Sequence, residues 1–294
     1  MPDQATILRG IVETRQDSRP EPTSAGPHRA RTIAVTSGKG GVGKSNVALN
    51  MAIAMSRLGK SVCLLDACLG LGNIDLLCGL NGYWNLSHVV TGARALKDVV
   101  LDGPDGIHVI PGASGLIELA DCPEAVQREL LFQMEELERN HDILIVDTST
   151  GIHRIVRQFA TSADQILLVT TPETTSMADA YATIKALASP DCPPLDIIVN
   201  QVESASQGKA IFGRLQQTSK LFLKKPIGFA GHVSHDPSVV NAVAKRSPFV
   251  VESTTCPAST DIHQLARRVL SNGGSLRTFQ SYFDRFRNGK QRAA

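Results

Sequence analysis

A glycine-rich segment near the start of the sequence has the spacing of a phosphate-binding loop. Residues 38–45 read G-K-G-G-V-G-K-S, which fits the pattern G-x-x-x-x-G-K-[ST], between a strand-like and a helical apolar run. Backbone N–H groups of such a loop curl around phosphate oxygens, and the next helix adds its positive dipole end. We expect Lys44 to reach the β- and γ-phosphates and Ser45 to bind Mg²⁺. The predicted phosphate-side residues are Gly38, Lys39, Gly40, Gly41, Val42, Gly43, Lys44, Ser45 and Asn46.

Two carboxylates at the ends of predicted strands are candidate metal ligands. Asp66 closes the run SVCLLD, and Asp147 closes the run DILIVD in a Walker B-like position. Because parallel strands meet at one carboxyl edge, both side chains are expected near the phosphates. Together with Ser45 they are the predicted Mg²⁺ ligands. An alternative for Asp66 is that its carboxylate caps the next helix.

Three runs carry a family resemblance that covers nearly the whole chain. VTSGKGGVGKSN, LLDACLGLGNIDLLCGL and DILIVDTSTGI resemble the MinD/ParA class of deviant Walker A ATPases, and within it the FlhG group of MinD-like regulators of flagellar placement and number. Ser45-Asn46, where MinD commonly has Thr-Thr, favours this flagellar branch. The resemblance implies an α/β fold with a doubly wound, mostly parallel sheet, ATP and Mg²⁺ as cofactors, and an ATP-bound homodimer in which Lys39 contacts the opposing subunit's nucleotide.

The sequence departs from the family beside Asp66. The family element reads D-x-D-x-G and its second carboxylate orients the attacking water, whereas residues 66–70 read D-A-C-L-G. A thiol does not hold water through a charge-assisted hydrogen bond as a carboxylate does. Two hypotheses follow: a slow or silent ATPase arrested in its ATP state, or an ATPase in which another group positions the water. The predicted catalytic residues are Lys39, Lys44, Asp66 and Cys68.

The resemblance also implies contacts on the base side of the nucleotide. Asn200, at the end of the run DIIVN, corresponds to the family's adenine-contacting asparagine, although asparagine is also an ordinary turn residue. ATP is favoured over GTP because the chain has no N-K-x-D guanine-reading motif. Asp236 and Pro237 are expected to pack near the nucleotide. Residues 148–151 are expected to form a turn that senses the γ-phosphate.

Apolar β-branched runs alternate with helical patterns from residue 31 onward, which predicts βαβ units and a mostly parallel sheet. The predicted strands are 32–37, 61–66, 106–111, 142–147, 165–171, 196–200 and 225–230. The predicted helices are 45–58, 124–139, 176–188, 208–223, 237–246, 259–271 and 275–287. We assign a short N-terminal helix to residues 1–16, a flexible linker to 17–31, one P-loop ATPase domain to 32–271 and a tail to 272–294.

The N-terminal segment is a candidate partner-binding helix. Ile7, Leu8, Ile11 and Val12 would share one apolar helical face behind the linker. The run from Asp3 to Arg9 is similar to the D-Q-A-x-x-L-R element by which FlhG relatives stimulate an FlhF-type signal-recognition GTPase. The alternative is a frayed chain end without a partner.

The C-terminal segment is a candidate membrane-binding helix. Its large apolar residues share one helical face: Leu276, Phe279, Tyr282, Phe283 and Phe286. Five basic residues against one acidic residue give the segment a charge of +4 in a chain whose total is +2. This pattern suits the anionic inner surface of the cell membrane. The alternative is a helix docked on its own core, and the resemblance implies release of such a helix upon ATP-driven dimerisation.

The composition of the chain limits the classes of protein to which it can belong. The 294 residues are 42% hydrophobic and 20% charged, which excludes fibrous and wholly disordered classes. A net charge of +2 gives no reason to expect direct nucleic-acid binding. Six cysteines without a C-x-x-C pair fit a reducing cytosol and disfavour an iron–sulfur carrier. No secretory signal or apolar run of membrane-spanning length is found, so we expect a cytoplasmic protein that binds the membrane peripherally.

The resemblance therefore implies an ATP-switched regulator of flagellar number or position. Flagellar switch components or a transcription factor are further candidate partners. One alternative is another MinD/ParA-type positioning ATPase, acting at the division site or in chromosome partition. A second alternative, raised by Cys68, is a non-hydrolysing ATP-bound interaction module.

Overall fold

A mostly parallel sheet forms the centre of the molecule. The computed structural model describes residues 29–68, 72–112, 124–190 and 192–272. Its strands are β1 (Arg31–Ser37), β2 (Val62–Ala67), β3 (Leu101–Asp102), β4 (His108–Ile110), β5 (Ile143–Thr150), β6 (Gln165–Thr170), β7 (Leu195–Val202) and β8 (Gly228–Ser234). They lie in the order β3-β4-β2-β5-β1-β6-β7-β8, and only the β3–β4 pair is antiparallel. The predicted doubly wound α/β class is confirmed.

Helices cover both faces of this sheet. They are α1 (Lys44–Arg57), α2 (Ile74–Leu77), α3 (Leu86–Val90), α4 (Glu124–Asn140), α5 (Arg154–Ser162), α6 (Thr174–Leu187), α7 (Ala205–Thr218), α8 (Pro237–Ala244), α9 (Phe249–Glu252) and α10 (Pro257–Ser271). A π-helical turn, Ser219–Leu223, follows α7. None of the helices in the described ranges combines the length and the apolar character needed to cross a bilayer.

The structure corrects several predicted boundaries. The helix predicted over 208–223 ends as an α-helix at Thr218, and the remaining residues form the π-helical turn. Four short helices and β3 were not predicted, because segments of two to nine residues carry too few apolar positions to establish a period. The predicted N-terminal helix, nearly all of the linker and the tail helix lie outside the described residues.

The central strands carry buried apolar residues on both faces because both faces of the sheet are covered. In β1, Ile33 and Val35 pack in a cluster with α1 and α10, whereas Ala34 joins a cluster with α6 and α7 on the opposite face. Helix α1 is buried from Val47 to Met55, so the helix that follows the glycine-rich loop is fixed on the sheet. The carboxyl edge of the sheet is thereby a rigid platform for the loops that leave it.

Candidate functional site

The glycine-rich loop links the carboxyl end of β1 to the start of α1. Gly41 and Gly43 have φ values of 79° and 84°, and Gly43 is the N-cap residue of α1. Side chains rarely adopt this left-handed conformation, so glycine at these positions lets the loop curl with its N–H groups inward. A Cβ atom on Gly38 would overlap the backbone oxygen of Asp179 in α6. The first glycine of the motif is therefore required for packing against a helix.

A cavity of about 590 Å³ opens over this loop. Loop residues from Gly41 to Asn46 form its floor, together with Ser37 and Lys39. Its other walls come from Cys68, from β5 and from the regions of α2 and α8. The lining residues that the sequence analysis missed are Ser37, Asn73, Leu76, Leu77, Val243 and Arg246.

Lys44 lies at the base of this cavity and is 6% exposed. Its Nζ donates to Asp147 Oδ1 at 2.5 Å and to Ser45 Oγ at 3.2 Å. Burial lowers the pKa of Lys44, but the charge and hydrogen bond of Asp147, together with the neighbouring Cys68 and Asp66, outweigh this effect, and the pKa lies above its usual value. The side chain is therefore a permanent cation at the position where the motif predicts the phosphates.

Three potential ligand atoms converge beside Lys44. The oxygens of Asp66 and Asp147 and the Sγ of Cys68 all lie within 4.8 Å of one another. With the Ser45 hydroxyl, the two carboxylates supply the hard oxygen donors that Mg²⁺ prefers, whereas the thiol does not suit it. The residues present thus fit a Mg²⁺ ion, which Ser45, Asp66 and Asp147 would hold and which would neutralise phosphate charge.

Asp66 also organises the loop that follows β2. Its Oδ1 accepts from the backbone N–H of Cys68 at 3.1 Å, and its Oδ2 accepts from those of Asn73 at 3.0 Å and Ile74 at 3.3 Å. The helix-capping alternative is therefore present in the structure, because Asn73 and Ile74 begin α2. Oδ1 accepts a single backbone hydrogen bond among the described residues, and its second lone pair is compatible with a metal-directed role.

Cys68 occupies the position of the family's second carboxylate and faces the same groups. Its Sγ lies 3.8 Å from Lys44 Nζ, 3.9 Å from Asp147 Oδ2 and 3.7 Å from the backbone oxygen of Thr148. Burial, followed by the negative charge of Asp147, raises the pKa of the thiol to about 12. The side chain is therefore a neutral thiol at physiological pH, without the charge of a carboxylate.

Lys39 extends from the loop toward α6. Its Nζ lies 2.5 Å from Glu173 Oε2 and 3.0 Å from Thr175 Oγ1, at the solvent-exposed start of that helix. The hydrogen bond from Lys39 lowers the pKa of the Glu173 carboxyl, so this carboxyl is ionised at neutral pH. The ammonium group stands at the rim of the cavity, accessible from outside the molecule.

A second cavity, of about 310 Å³, adjoins the first and includes Asn200 in its lining. Asn200 Nδ2 donates to the backbone oxygen of Val42 at 2.8 Å, so this amide also braces the glycine-rich loop. Asp236 lines the same cavity and accepts from the backbone N–H of Ser238 at 2.8 Å, which caps α8. Pro237 is the first residue of α8 and does not line the cavity.

The segment after Asp147 differs in part from its predicted form. Thr148, Ser149 and Thr150 continue β5, and only Gly151 leaves the strand, with a φ of 91°. Ser149 and Thr150 nevertheless line the larger cavity. The predicted turn is therefore mainly strand, since Thr150 still pairs with Ser37 of β1, after a shift in register that follows the Val35–Asp147 pair.

Comparisons with known proteins agree with this geometry. A family model described as "AAA domain" matches residues 30–190. The antiactivator FleN of Pseudomonas aeruginosa is 37% identical over 82% of this chain and 87% of its own length. The flagellum site-determining protein YlxH of Helicobacter pylori is 32% identical over 75% of this chain and 74% of its own length. A chain of the MinC:MinD cell division protein complex of Aquifex aeolicus has a TM-score of 0.68 at 27% identity, covering 84% of this chain and 98% of that one.

The sheet order, the phosphate loop with its second lysine and these similarities define a P-loop ATPase of the MinD/ParA class. Within that class, the chain belongs to the FleN/YlxH family, the FlhG group of MinD-like proteins.

Proposed function

We propose that this protein is an ATP-dependent dimerising switch that regulates the number or position of flagella. The observation that carries the proposal is the cavity over the glycine-rich loop, which Lys44 and Ser45 line, with the buried carboxylate of Asp147 bonded to Lys44 and that of Asp66 beside it. The adjoining cavity with Asn200 has room for an adenine base. The flagellar assignment is supported by the similarity to FleN and YlxH over three quarters or more of the chain.

In the proposed cycle, this chain's residues bind and orient the triphosphate. The backbone of residues 38–45 and the ammonium of Lys44 hold the phosphates, and Ser45, Asp66 and Asp147 would hold a Mg²⁺ ion that supplies further positive charge there. Asn200 holds the adenine edge while bracing the loop. Lys39 breaks its contact with Glu173 and instead contacts the nucleotide of a second subunit, so that ATP joins the two chains. This dimer is the proposed signalling state.

Replacing Lys39 with alanine is expected to abolish ATP-dependent dimerisation while leaving ATP binding within about threefold of wild type. The side chain stands at the rim and contacts only Glu173 and Thr175 among the described residues, so its loss leaves the base of the cavity intact. Molar mass by light scattering, with and without a non-hydrolysable ATP analogue, measures the dimer. Lys97→Ala, at another exposed lysine, is the control. Analogue-dependent dimers of the Lys39→Ala protein would contradict the proposed trans contact.

Deletion of residues 1–16 is expected to abolish stimulation of an FlhF-type GTPase. The proposal assigns this activity to the element from Asp3 to Arg9, with the apolar face of Ile7 and Leu8 docking on the partner. GTP turnover of the partner, measured with the full chain and with the deletion, reports the effect, and ATP binding by the deletion checks its fold. An undiminished stimulation favours the alternative of a positioning ATPase for division sites or chromosome partition.

We further propose that the ATP-bound dimer is peripheral on the inner face of the cell membrane, recruited through residues 272–294. The +4 charge and shared apolar face of this segment are the basis of that proposal. Flagellar switch components and a transcription factor are the proposed downstream partners. Cys68 favours one second candidate function, an ATP-bound interaction module that does not hydrolyse its nucleotide.

A further inference from the structure

An apolar pair stands exposed on the π-helical turn that follows α7. Leu221 and Phe222 are 65% and 74% exposed. The next residue, Leu223, packs against the core below α7, and Ser219 is fully buried. The turn is thus anchored from beneath, and its two outward apolar side chains lie on a fixed structure.

The segment of chain that carries this pair has one sign of charge. Residues 204–235 contain five lysines and arginines and no aspartate or glutamate, in a chain with a net charge of +2. Lys220, Lys224 and Lys225 flank the pair, and none of them forms an ion pair with an acidic side chain of the described ranges. We define the Phe222 patch as Lys220, Leu221, Phe222, Lys224 and Lys225.

The patch lies at the amino edge of the sheet, opposite the nucleotide cavity. Helix α7 leaves the carboxyl end of β7 and runs back along the sheet, so that its last turn reaches the other edge. From the patch the chain enters β8 at Gly228, which pairs with Asp196, the second residue of β7. The patch is therefore remote from the groups proposed to bind ATP.

The last turn of α10 reaches the same edge from the other face of the sheet. Arg31, the first residue of β1, donates from Nη1 to the backbone oxygen of Val269 at 2.8 Å. Arg268 Nη1 donates to the backbone oxygen of Ala230 at 3.0 Å, close to the start of β8. The Phe222 patch and the end of α10, which residues 272–294 follow in sequence, therefore flank the first residues of β8.

We propose that the Phe222 patch is a second contact with an anionic lipid bilayer. Leu221 and Phe222 enter the headgroup boundary, and the three lysines approach the lipid phosphates. Exposed apolar side chains flanked by lysines are typical of proteins that bind at a membrane interface, and these three lysines form no ion pair within the described ranges. Single weak membrane anchors bind reversibly, so a second contact at the edge where α10 ends, just before the basic tail in sequence, increases retention. The inference rests on the proposed membrane recruitment through the tail, to which it adds an independent contact.

The test uses the full chain with Mg-ATP and measures co-sedimentation with vesicles of phosphatidylglycerol and phosphatidylcholine, against vesicles of phosphatidylcholine alone. Leu221→Ser with Phe222→Ser is expected to lower the partition coefficient on anionic vesicles at least about tenfold. Lys220→Gln, Lys224→Gln and Lys225→Gln together are expected to lower it by a similar or larger factor. The matched control is Phe132→Ser, an aromatic residue on α4 that is 59% exposed. Thermal midpoints and ATP binding establish that each variant is folded.

A full-chain tail variant, Phe279→Ser with Phe283→Ser, separates this inference from the proposed function. Loss of binding in both the patch and the tail variants supports both contacts. Loss in the patch variants alone supports the patch and removes the tail from the proposed function. Unchanged vesicle binding by the patch variants overturns the inference, and so does equal binding of wild type to neutral and anionic vesicles. Unchanged vesicle binding with a flagellar placement defect would identify the patch as a protein-docking face instead.

Discussion

Lys44→Ala is expected to reduce ATP affinity by about 10²- to 10³-fold and to remove any ATP-dependent phosphate release. The ammonium is 6% exposed and is held 2.5 Å from Asp147, so it is preorganised at the base of the cavity where the phosphates are proposed to bind. Because Lys44 is shielded from most bulk water, its charge interacts strongly with a bound phosphate, and removing that charge weakens ATP binding strongly. Equilibrium binding of a fluorescent ATP analogue measures the affinity.

The same substitution leaves a buried carboxylate without its partner. Asp147 is 0% exposed, and breaking a buried ion pair on one side costs about 3–5 kcal/mol of folding stability. The double variant Lys44→Ala, Asp147→Ala therefore serves as the control, because it removes both charges and is expected to recover much of the stability. If ATP binding returns together with stability in the double variant, Lys44 is a structural residue and the proposed phosphate contact is wrong.

The local part of the site was predictable from sequence, and so was the sheet. The conformation of the loop over residues 38–45 is determined by a motif of adjacent residues. Asp66 and Asp147 lie toward the carboxyl ends of parallel strands, and these ends must meet at one edge of the sheet. The parallel arrangement followed from runs that are apolar on both faces, such as the first four residues of β5, Ile143 to Val146. These features depend on neighbours in sequence or on a general rule of sheet geometry.

The remaining walls of the cavity depend on long-range contacts that no local pattern reports. Leu76 comes from a four-residue helix held by Asp66, and Arg246 follows α8 with a φ of 54°. Glu173, the partner of Lys39, precedes a helix 134 residues further along the chain. Their approach to the loop is set by packing of the whole domain, and a single sequence contains no signal for it.

Cys68 combines a local sequence signal with an environment that only the structure shows. The sequence identified a thiol where the family has a carboxylate, and the structure places its Sγ 3.8 Å from Lys44 Nζ and 3.9 Å from Asp147 Oδ2. With a pKa raised to about 12, the thiol is neutral and neither attracts a water proton nor fixes a water by charge. A carboxylate in its place would retain Lys44 as a nearby counter-charge.

Cys68→Asp is therefore expected to accelerate ATP hydrolysis by about 10²-fold over a slow wild-type rate, within the range that a positioned general base contributes. Phosphate release in the presence of anionic vesicles measures the rate, and analogue affinity shows whether binding is retained. Cys68→Asn is the matched control, because it offers a similar shape and a hydrogen-bonding oxygen without the charge. Acceleration by aspartate alone assigns the slow rate to the missing carboxylate and supports a switch held in its ATP state. Rapid turnover by wild type, little changed by aspartate and lost with Lys44→Ala, would instead show that another group positions the water and that the protein cycles as an ordinary ATPase.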